Sequence, residues 1–169
     1  MLNLASYNPT FVAANGGTAA SAAKALLAGI QAGQAYLNIH SMMFPGGEIR
    51  GFLVVPVDIS IKPGATSPVP INAGSRGTTP VAILSTAAFN AVTSVDTSSL
   101  TFGRTGDEQS LAFCNPGGED VNGDGLPDLV CHFHTPLTGF QSGDTLAILK
   151  GKTHLGASIL GQEAIVIVP

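Results

Sequence analysis

Short apolar runs separated by glycine and proline constrain the fold of this chain more than any other feature. The chain contains 21 Gly and 11 Pro among 169 residues. Segment 57–63 (VDISIKP) alternates apolar and polar side chains, whereas 79–86 (TPVAILST) is almost continuously apolar. Alternation favours a strand with one buried face, and a short apolar run favours a central strand. The pattern predicts a mainly β protein, an antiparallel Greek-key or immunoglobulin-like sandwich.

The segment before these strands has a different pattern. Residues 18–32 are rich in alanine and are followed by Gly33, so we predict one short N-terminal α-helix over about 18–32. Residues 3–12 are expected to be an extended strand. Segments 35–41 and 48–55 flank the turn MFPGGE, which predicts a β-hairpin.

A change of pattern near Pro56 indicates a domain boundary. We predict a first segment over 1–55 and a calcium-binding β-sandwich module over 56–169. Within the second, residues 105–119 read as a polar, Gly-rich loop, and AAFNAV reads as one helical turn. Further strands are predicted over 99–104, 128–135, 145–153 and 164–169.

The segment from Asp120 to Asp128, DVNGDGLPD, carries the clearest site chemistry. It supplies side-chain oxygens at loop positions 1, 3, 5 and 9, a backbone carbonyl at position 7 and a glycine at position 6. These residues are Asp120, Asn122, Asp124, Asp128, Leu126 and Gly125. Ca²⁺ takes six to eight hard oxygen ligands, and three nearby carboxylates would repel each other without a cation. The spacing predicts a calcium site; the alternative is an empty Asx-rich turn.

The loop departs from an EF-hand at its last position. Position 12 is Cys131, inside a predicted strand, where an EF-hand has a bidentate Glu. Water or an outside donor, Glu119 or Asp144, is therefore needed to complete the shell. The missing ligand predicts weak affinity, on the order of 10⁻⁴–10⁻³ M, and a structural role for the ion.

The two cysteines, Cys114 and Cys131, lie on either side of the acidic loop. We predict a disulfide that closes a loop of about 17 residues and contributes roughly 3 kcal/mol. Two unrelated buried thiols are the alternative. A disulfide requires an oxidising compartment, which favours an extracellular or cell-surface location.

Composition narrows the possible partners. The net charge is −4 and Lys and Arg do not cluster, which argues against nucleic acid and anionic membranes. No apolar run approaches the ~18–20 residues of a membrane span. Only 11% of residues are charged, against roughly 25% in an average soluble domain, a composition typical of adhesive or self-assembling modules. Residues 1–17 do not read as a signal peptide, so an export signal is expected to have been removed or to lie upstream.

No catalytic residues are predicted, because no nucleophile pairs with a base in any recognisable motif. His132 and His134 share a strand face and could bind a metal, but we favour solvent-facing positions that alternate with core residues. His40, near Glu48 and Arg50, is expected to join a polar network at the hairpin rather than to act as a ligand.

Two family resemblances cover most of the chain. Through SYNPTFVAANGG, AYLNIHS and FPGGEIRG, residues 1–55 resemble the C-terminal half of a chordin-type (CHRD) domain. This resemblance implies a β-rich extracellular module, which in bacteria often belongs to exported proteins. Residues 57–169 resemble a bacterial secreted β module whose DxNxDGxxD loop is similar to calcium loops of dockerin, thrombospondin type 3 and FG-GAP repeats. That resemblance implies a non-enzymatic role.

Half of a β domain would expose unpaired strand edges and apolar surface, so residues 1–55 are expected to pack on the second domain or to pair with another subunit. We therefore expect a non-catalytic, calcium-stabilised structural or adhesive protein of the bacterial surface or biofilm matrix. It would assemble as a homo-oligomer or filament through β-strand contacts.

Two other functions are possible from the sequence. One is a calcium-dependent carbohydrate-binding module, with polysaccharide as partner and Tyr7 and Tyr36 as the tyrosines that could stack on a sugar. The other is a metalloenzyme resembling the superoxide dismutase sandwich, which would need more histidines than His40 supplies.

Overall fold

The computed structural model of this protein describes residues 3–169 and divides into two compact units. One unit runs to Val54 and includes Leu155–Ala157, and the other comprises Val55–His154 with Ser158–Pro169. Among the described residues, no helix has both the length and the apolar character needed to cross a bilayer.

The first unit combines two helices with a two-stranded sheet. Its elements are α1 (Pro9–Ala14), α2 (Ala19–Gln31), β1 (Tyr36–Ile39) and β2 (Ile49–Phe52). Helix α2 agrees with the predicted helix. Thr18 caps it, because the Thr18 side chain accepts from the backbone N–H of Ser21 while the Ser21 side chain accepts from the backbone N–H of Thr18.

The prediction of an extended strand over residues 3–12 is wrong. The chain there forms a 3₁₀ turn at Leu4–Ser6 and then helix α1. Asn8 starts α1, since its side chain accepts from the backbone N–H groups of Thr10 and Phe11 and Pro9 occupies the first helical position. The capping residues are visible in the sequence as NPT. The helix that follows has only six residues, too few to show a helical spacing of apolar side chains, so it was not predicted.

The second unit consists of two β-sheets. The first has the strand order β3-β11-β10-β7, with β5 paired in parallel to β11, and the second has the order β4-β6-β9-β8. All other pairings with a defined register are antiparallel. The strands are β3 (Val54–Pro56), β4 (Ile59–Ile61), β5 (Val69–Asn72), β6 (Thr78–Ile83), β7 (Val95–Gly103), β8 (Leu111–Cys114), β9 (Leu129–His134), β10 (Leu146–Thr153) and β11 (Ser158–Val168), with a short helix α3 at Ala91–Ser94.

The core of the second unit lies between the inward faces of these sheets. Phe102 on β7 and Phe133 on β9 are fully buried, with ring centroids 4.9 Å apart. Ile61, Val81 and Leu149 join them. The inward positions alternate along the strands, as period-2 patterning requires. The predicted fold class, a mainly β antiparallel sandwich with few helices, is confirmed.

Two strands were not predicted. Strand β8 lies inside 105–119, which was expected to be a polar loop, and β5 begins within residues 63–70, which contain three prolines. Each has only four residues, and β5 contains Pro70. Local composition therefore marked both as loops, and pairing with β9 and β11 overrides that preference.

Candidate functional site

The acidic loop connects two adjacent antiparallel strands, β8 and β9. Cys114, the last residue of β8, lies opposite Cys131 on β9, and the two form a disulfide with a Cα–Cα distance of 3.9 Å. The predicted Cys114–Cys131 disulfide is confirmed. It joins the two strands from which the loop leaves, and Glu119 and Asp128 pair through their backbones to close the loop base.

The outer turn of the loop is organised around the Asp120 carboxylate. One oxygen, Oδ1, accepts from the backbone N–H groups of Gly123 (2.8 Å) and Asp124 (3.1 Å), and Oδ2 accepts from Gly125 N–H at 2.9 Å. The Asn122 side-chain amide donates to Asp124 Oδ2 at 3.1 Å. The side chains at loop positions 1, 3 and 5 are thus held within one exposed turn.

Glycine is required at two positions of this turn. Gly123 and Gly125 have φ values of +78° and +85°, in the left-handed region that disfavours side chains. Nothing lies near the position where either Cβ would stand, so the backbone conformation and not space explains both glycines.

Asp128, predicted as the ligand at position 9, has a different environment. It is fully buried, with Oδ1 accepting from Ser85 N–H at 2.7 Å and Oδ2 from Val121 N–H at 3.1 Å. The Ser85 hydroxyl donates to the Pro127 carbonyl and accepts from Ala91 N–H. Asp128 therefore joins the inner side of the loop to the residues that follow β6. Ser85 was not singled out in the sequence, because a serine after an apolar run carries no distinctive signal.

The two residues suggested as additional donors are placed differently from each other. Glu119 is exposed and belongs to the loop base. Asp144 accepts from Arg104 Nε at 3.1 Å and from the backbone N–H of Gln141 at 2.8 Å, so its carboxylate already has two partners.

The fit of the loop to a metal ion is partial. Within residues 3–169, no three side chains of His, Cys, Asp or Glu converge on a common position that could hold a metal. The inward orientation of Asp128 accounts for this in the acidic loop, because only Asp120 and Asp124 remain as exposed carboxylates among the five predicted donors. Asn122 and the Leu126 carbonyl are the other donors in the exposed turn.

Among the described residues, no histidine belongs to a group of three metal-binding side chains. His40 Nδ1 lies 2.8 Å from the Pro45 carbonyl, and its Nε2 lies 3.2 Å from the Asn38 amide, so His40 belongs to a polar network of the hairpin. That network uses Asn38 and Pro45 instead of the expected Glu48 and Arg50. His132 and His134 face away from the core on β9.

A second surface feature is the apolar face of the β1–β2 hairpin. Leu37 is paired with Gly51 and Ile39 with Ile49, and these residues share one face. Leu37 and Ile49 are 63% and 62% exposed. The opposite face carries Tyr36, Asn38, Arg50 and Phe52. A two-stranded sheet cannot cover either of its faces by itself.

The family match to this chain covers most of the first unit, including the β1–β2 hairpin. A model of the CHRD domain family matches residues 3–53, less than a third of the chain. The predicted chordin-type segment is therefore confirmed, and CHRD domains are extracellular modules. No curated protein and no solved structure gives a significant match to the chain. The disulfide agrees with an oxidising environment.

Proposed function

We propose that this protein is a non-catalytic structural or adhesive module of an extracellular surface or matrix, stabilised by calcium at the Asp120–Asp128 loop. The observation that carries the proposal is the Asp120 turn, which holds the side chains of Asp120, Asn122 and Asp124 together at the surface. Their spacing is that of a calcium loop, and the glycines permit the sharp turn it needs.

The hydrogen bonds of the turn are compatible with metal binding. An ionised carboxylate has about four lone-pair sites, and three of those on Asp120 accept backbone N–H groups, so Oδ2, which accepts only from Gly125, can still face a cation. Asp120 and Asp124 place two negative charges in one short turn, and Ca²⁺ would offset their repulsion. Side-chain oxygens of Asp120, Asn122 and Asp124 and the carbonyl of Leu126 supply four donors, and water would supply the others.

Asp128 acts in this proposal as a support for the loop and not as a main ligand. Both of its oxygens are engaged by backbone N–H groups in a buried position. A shell with two exposed carboxylates and no bidentate Glu implies weak binding, on the order of 10⁻⁴–10⁻³ M. Calcium at such an affinity is bound in extracellular fluid, where the disulfide is also stable.

Assembly is the second part of the proposal. The hairpin of the first unit exposes one apolar face and two strand edges, which are the features that strand addition between subunits uses. We infer homo-oligomers that pair through this hairpin. Sedimentation velocity over a range of concentrations tests it: Leu37→Thr should weaken association, whereas Leu155→Thr, at another exposed leucine, should not.

The calcium part is tested by thermal unfolding with excess EDTA or with increasing CaCl₂. At ten times Kd, binding to the native state alone adds about 1.4 kcal/mol, which corresponds to a rise in Tm of roughly 3–6 °C for a chain of this size. Asp124→Asn should abolish most of this rise. Asp58→Asn, an equal charge change at an exposed position outside the loop, should retain it. Identical unfolding curves of the wild-type protein in EDTA and in millimolar calcium would contradict the proposal.

A further inference from the structure

Strand β9 presents two histidines on the face opposite the core. Phe133 between them is fully buried, so His132 and His134 are directed outward, and His134 is exposed. Alternate residues of a strand lie about 6.6 Å apart along its axis and project in the same direction. Two imidazoles on one strand face can bind one ion together, each at the Zn–N distance of about 2.0–2.1 Å.

Both imidazoles are free of competing polar contacts. Across residues 3–169, the side chains of His132 and His134 take part in no hydrogen bond and no ion pair, and their backbones pair with the neighbouring strands. His40 differs, because both of its ring nitrogens have partners in the hairpin. The ring nitrogens of the β9 pair are therefore available to a ligand.

The surroundings hold one of these rings in place. Phe113 on β8 stacks on His132 with the ring centroids 4.4 Å apart and an angle of 15° between the planes. Stacking fixes the ring plane but leaves the nitrogens at the ring edge uncovered. The Cys114–Cys131 disulfide joins the same two strands at the adjacent residue pair, so it stabilises the register on which this stack depends.

The neighbouring strand β6 places no competing metal ligand beside the two histidines. Pro80 of β6 is paired with His132, and Thr78 is paired with His134. Pro80 has no polar side chain, and no carboxylate occupies these register positions to compete for the imidazoles. Water can therefore fill the other positions around an ion held here.

We propose that His132 and His134 form a second metal site, a two-histidine chelate for a borderline divalent transition metal such as Zn²⁺ or Cu²⁺. Imidazole nitrogen binds these ions in preference to Ca²⁺, which takes oxygen ligands. The site is thus chemically distinct from the acidic loop. Two protein ligands leave the coordination shell open, so the bound ion would be exchangeable and accessible to an external donor.

The test is calorimetric titration of the untagged protein with ZnCl₂ in excess CaCl₂, which occupies the oxygen sites first. One zinc ion per chain is expected. His132→Asn and His134→Asn should each weaken zinc binding by on the order of tenfold or more, because each removes one of two protein ligands. His154→Asn, which removes an exposed histidine outside β9, should leave the affinity unchanged.

Electron paramagnetic resonance of the Cu²⁺-loaded protein supplies an independent readout. Hyperfine coupling to two imidazole nitrogens is expected in the wild-type protein and in His154→Asn, and coupling to one in each single β9 variant.

Equal zinc affinity in the wild-type protein and in the His132→Asn/His134→Asn double variant would overturn the proposal. Zinc binding that is lost on Asp124→Asn instead would place the ion in the acidic loop and would also overturn it. Both histidines point away from the core, so circular dichroism should show that the variants remain folded.

Discussion

The two units of this protein use apolar side chains in opposite ways. In the second unit, Phe102, Phe133 and Leu149 are fully enclosed between two sheets. In the first unit, Phe52 of the hairpin is 66% exposed, and Val12 and Ala22 are the buried apolar residues of its helices. Both regions are apolar in sequence, so hydrophobicity alone does not determine which residues enter a core.

The difference follows from the number of β layers. A sandwich closes two sheets on each other, and each inward side chain gains neighbours from the opposite sheet. The β1–β2 sheet has two strands, and an isolated sheet of this size is marginally stable. We infer that the second unit carries most of the folding free energy, whereas the hairpin contributes little to it.

Matched phenylalanine truncations give the largest expected contrast between the units. Phe133→Ala should lower the free energy of unfolding by about 3–5 kcal/mol, because it removes a fully buried ring that packs against Phe102. Phe52→Ala should cost below about 1 kcal/mol, since that ring is mostly in water and touches Tyr36 only edge-on. Urea unfolding followed by circular dichroism measures both. Equal losses would mean that the hairpin is packed as tightly as the sandwich.

Loss of the disulfide should have the next largest effect, again confined to the second unit. Cys114 and Cys131 are 17 residues apart. The double variant Cys114→Ala/Cys131→Ala should lose about 3 kcal/mol of unfolding free energy, because its unfolded chain is no longer restricted by the cross-link. Reductant should lower the Tm of the wild-type protein and leave that of the double variant unchanged. A reductant effect on the double variant would show that the loss arises elsewhere.

The acidic loop contains a similar contrast between its inner and outer carboxylates. Asp128→Asn should lower the free energy of unfolding by about 1–3 kcal/mol even when EDTA removes calcium. The reason is that the amide N–H₂ would face a backbone N–H donor in a buried position. Asp124→Asn, at an exposed position, should change stability in EDTA by less than about 0.5 kcal/mol. If the two variants are equally stable in EDTA, Asp128 does not support the loop as described.

Features that depend on neighbouring residues could be predicted from the sequence, whereas features that depend on residues far along the chain could not. Helix α2 and the hairpin have caps, turns and periodicity within a few residues, and the disulfide follows from two cysteines that flank one loop. The inward position of Asp128 depends on Ser85, which is 43 residues away, and no spacing rule within the loop indicates that partner. Strand β8 is likewise defined by its pairing with β9 and not by its own composition.

The smallest expected effect concerns Glu163, an ionisable group between the two sheets of the second unit. Burial raises the pKa of the Glu163 carboxyl, while the Ile61 N–H, which donates to Glu163 Oε2 at 2.5 Å, partly opposes the rise. The folded state thus holds this proton more tightly than the unfolded state does. The stability that protonated Glu163 contributes is complete below its ordinary pKa and is lost as the pH rises through the raised value.

The variant Glu163→Gln keeps an acceptor for the Ile61 N–H but cannot ionise. The free energy of unfolding of this variant, relative to that of the wild-type protein, should therefore increase with pH. The increase should be less than about 1 kcal/mol, because solvent screens the carboxyl. Urea unfolding at a series of pH values from acid to neutral measures the free energy of unfolding of both proteins. If the difference between them stays constant or shrinks as the pH rises, ionisation of Glu163 does not destabilise the folded state.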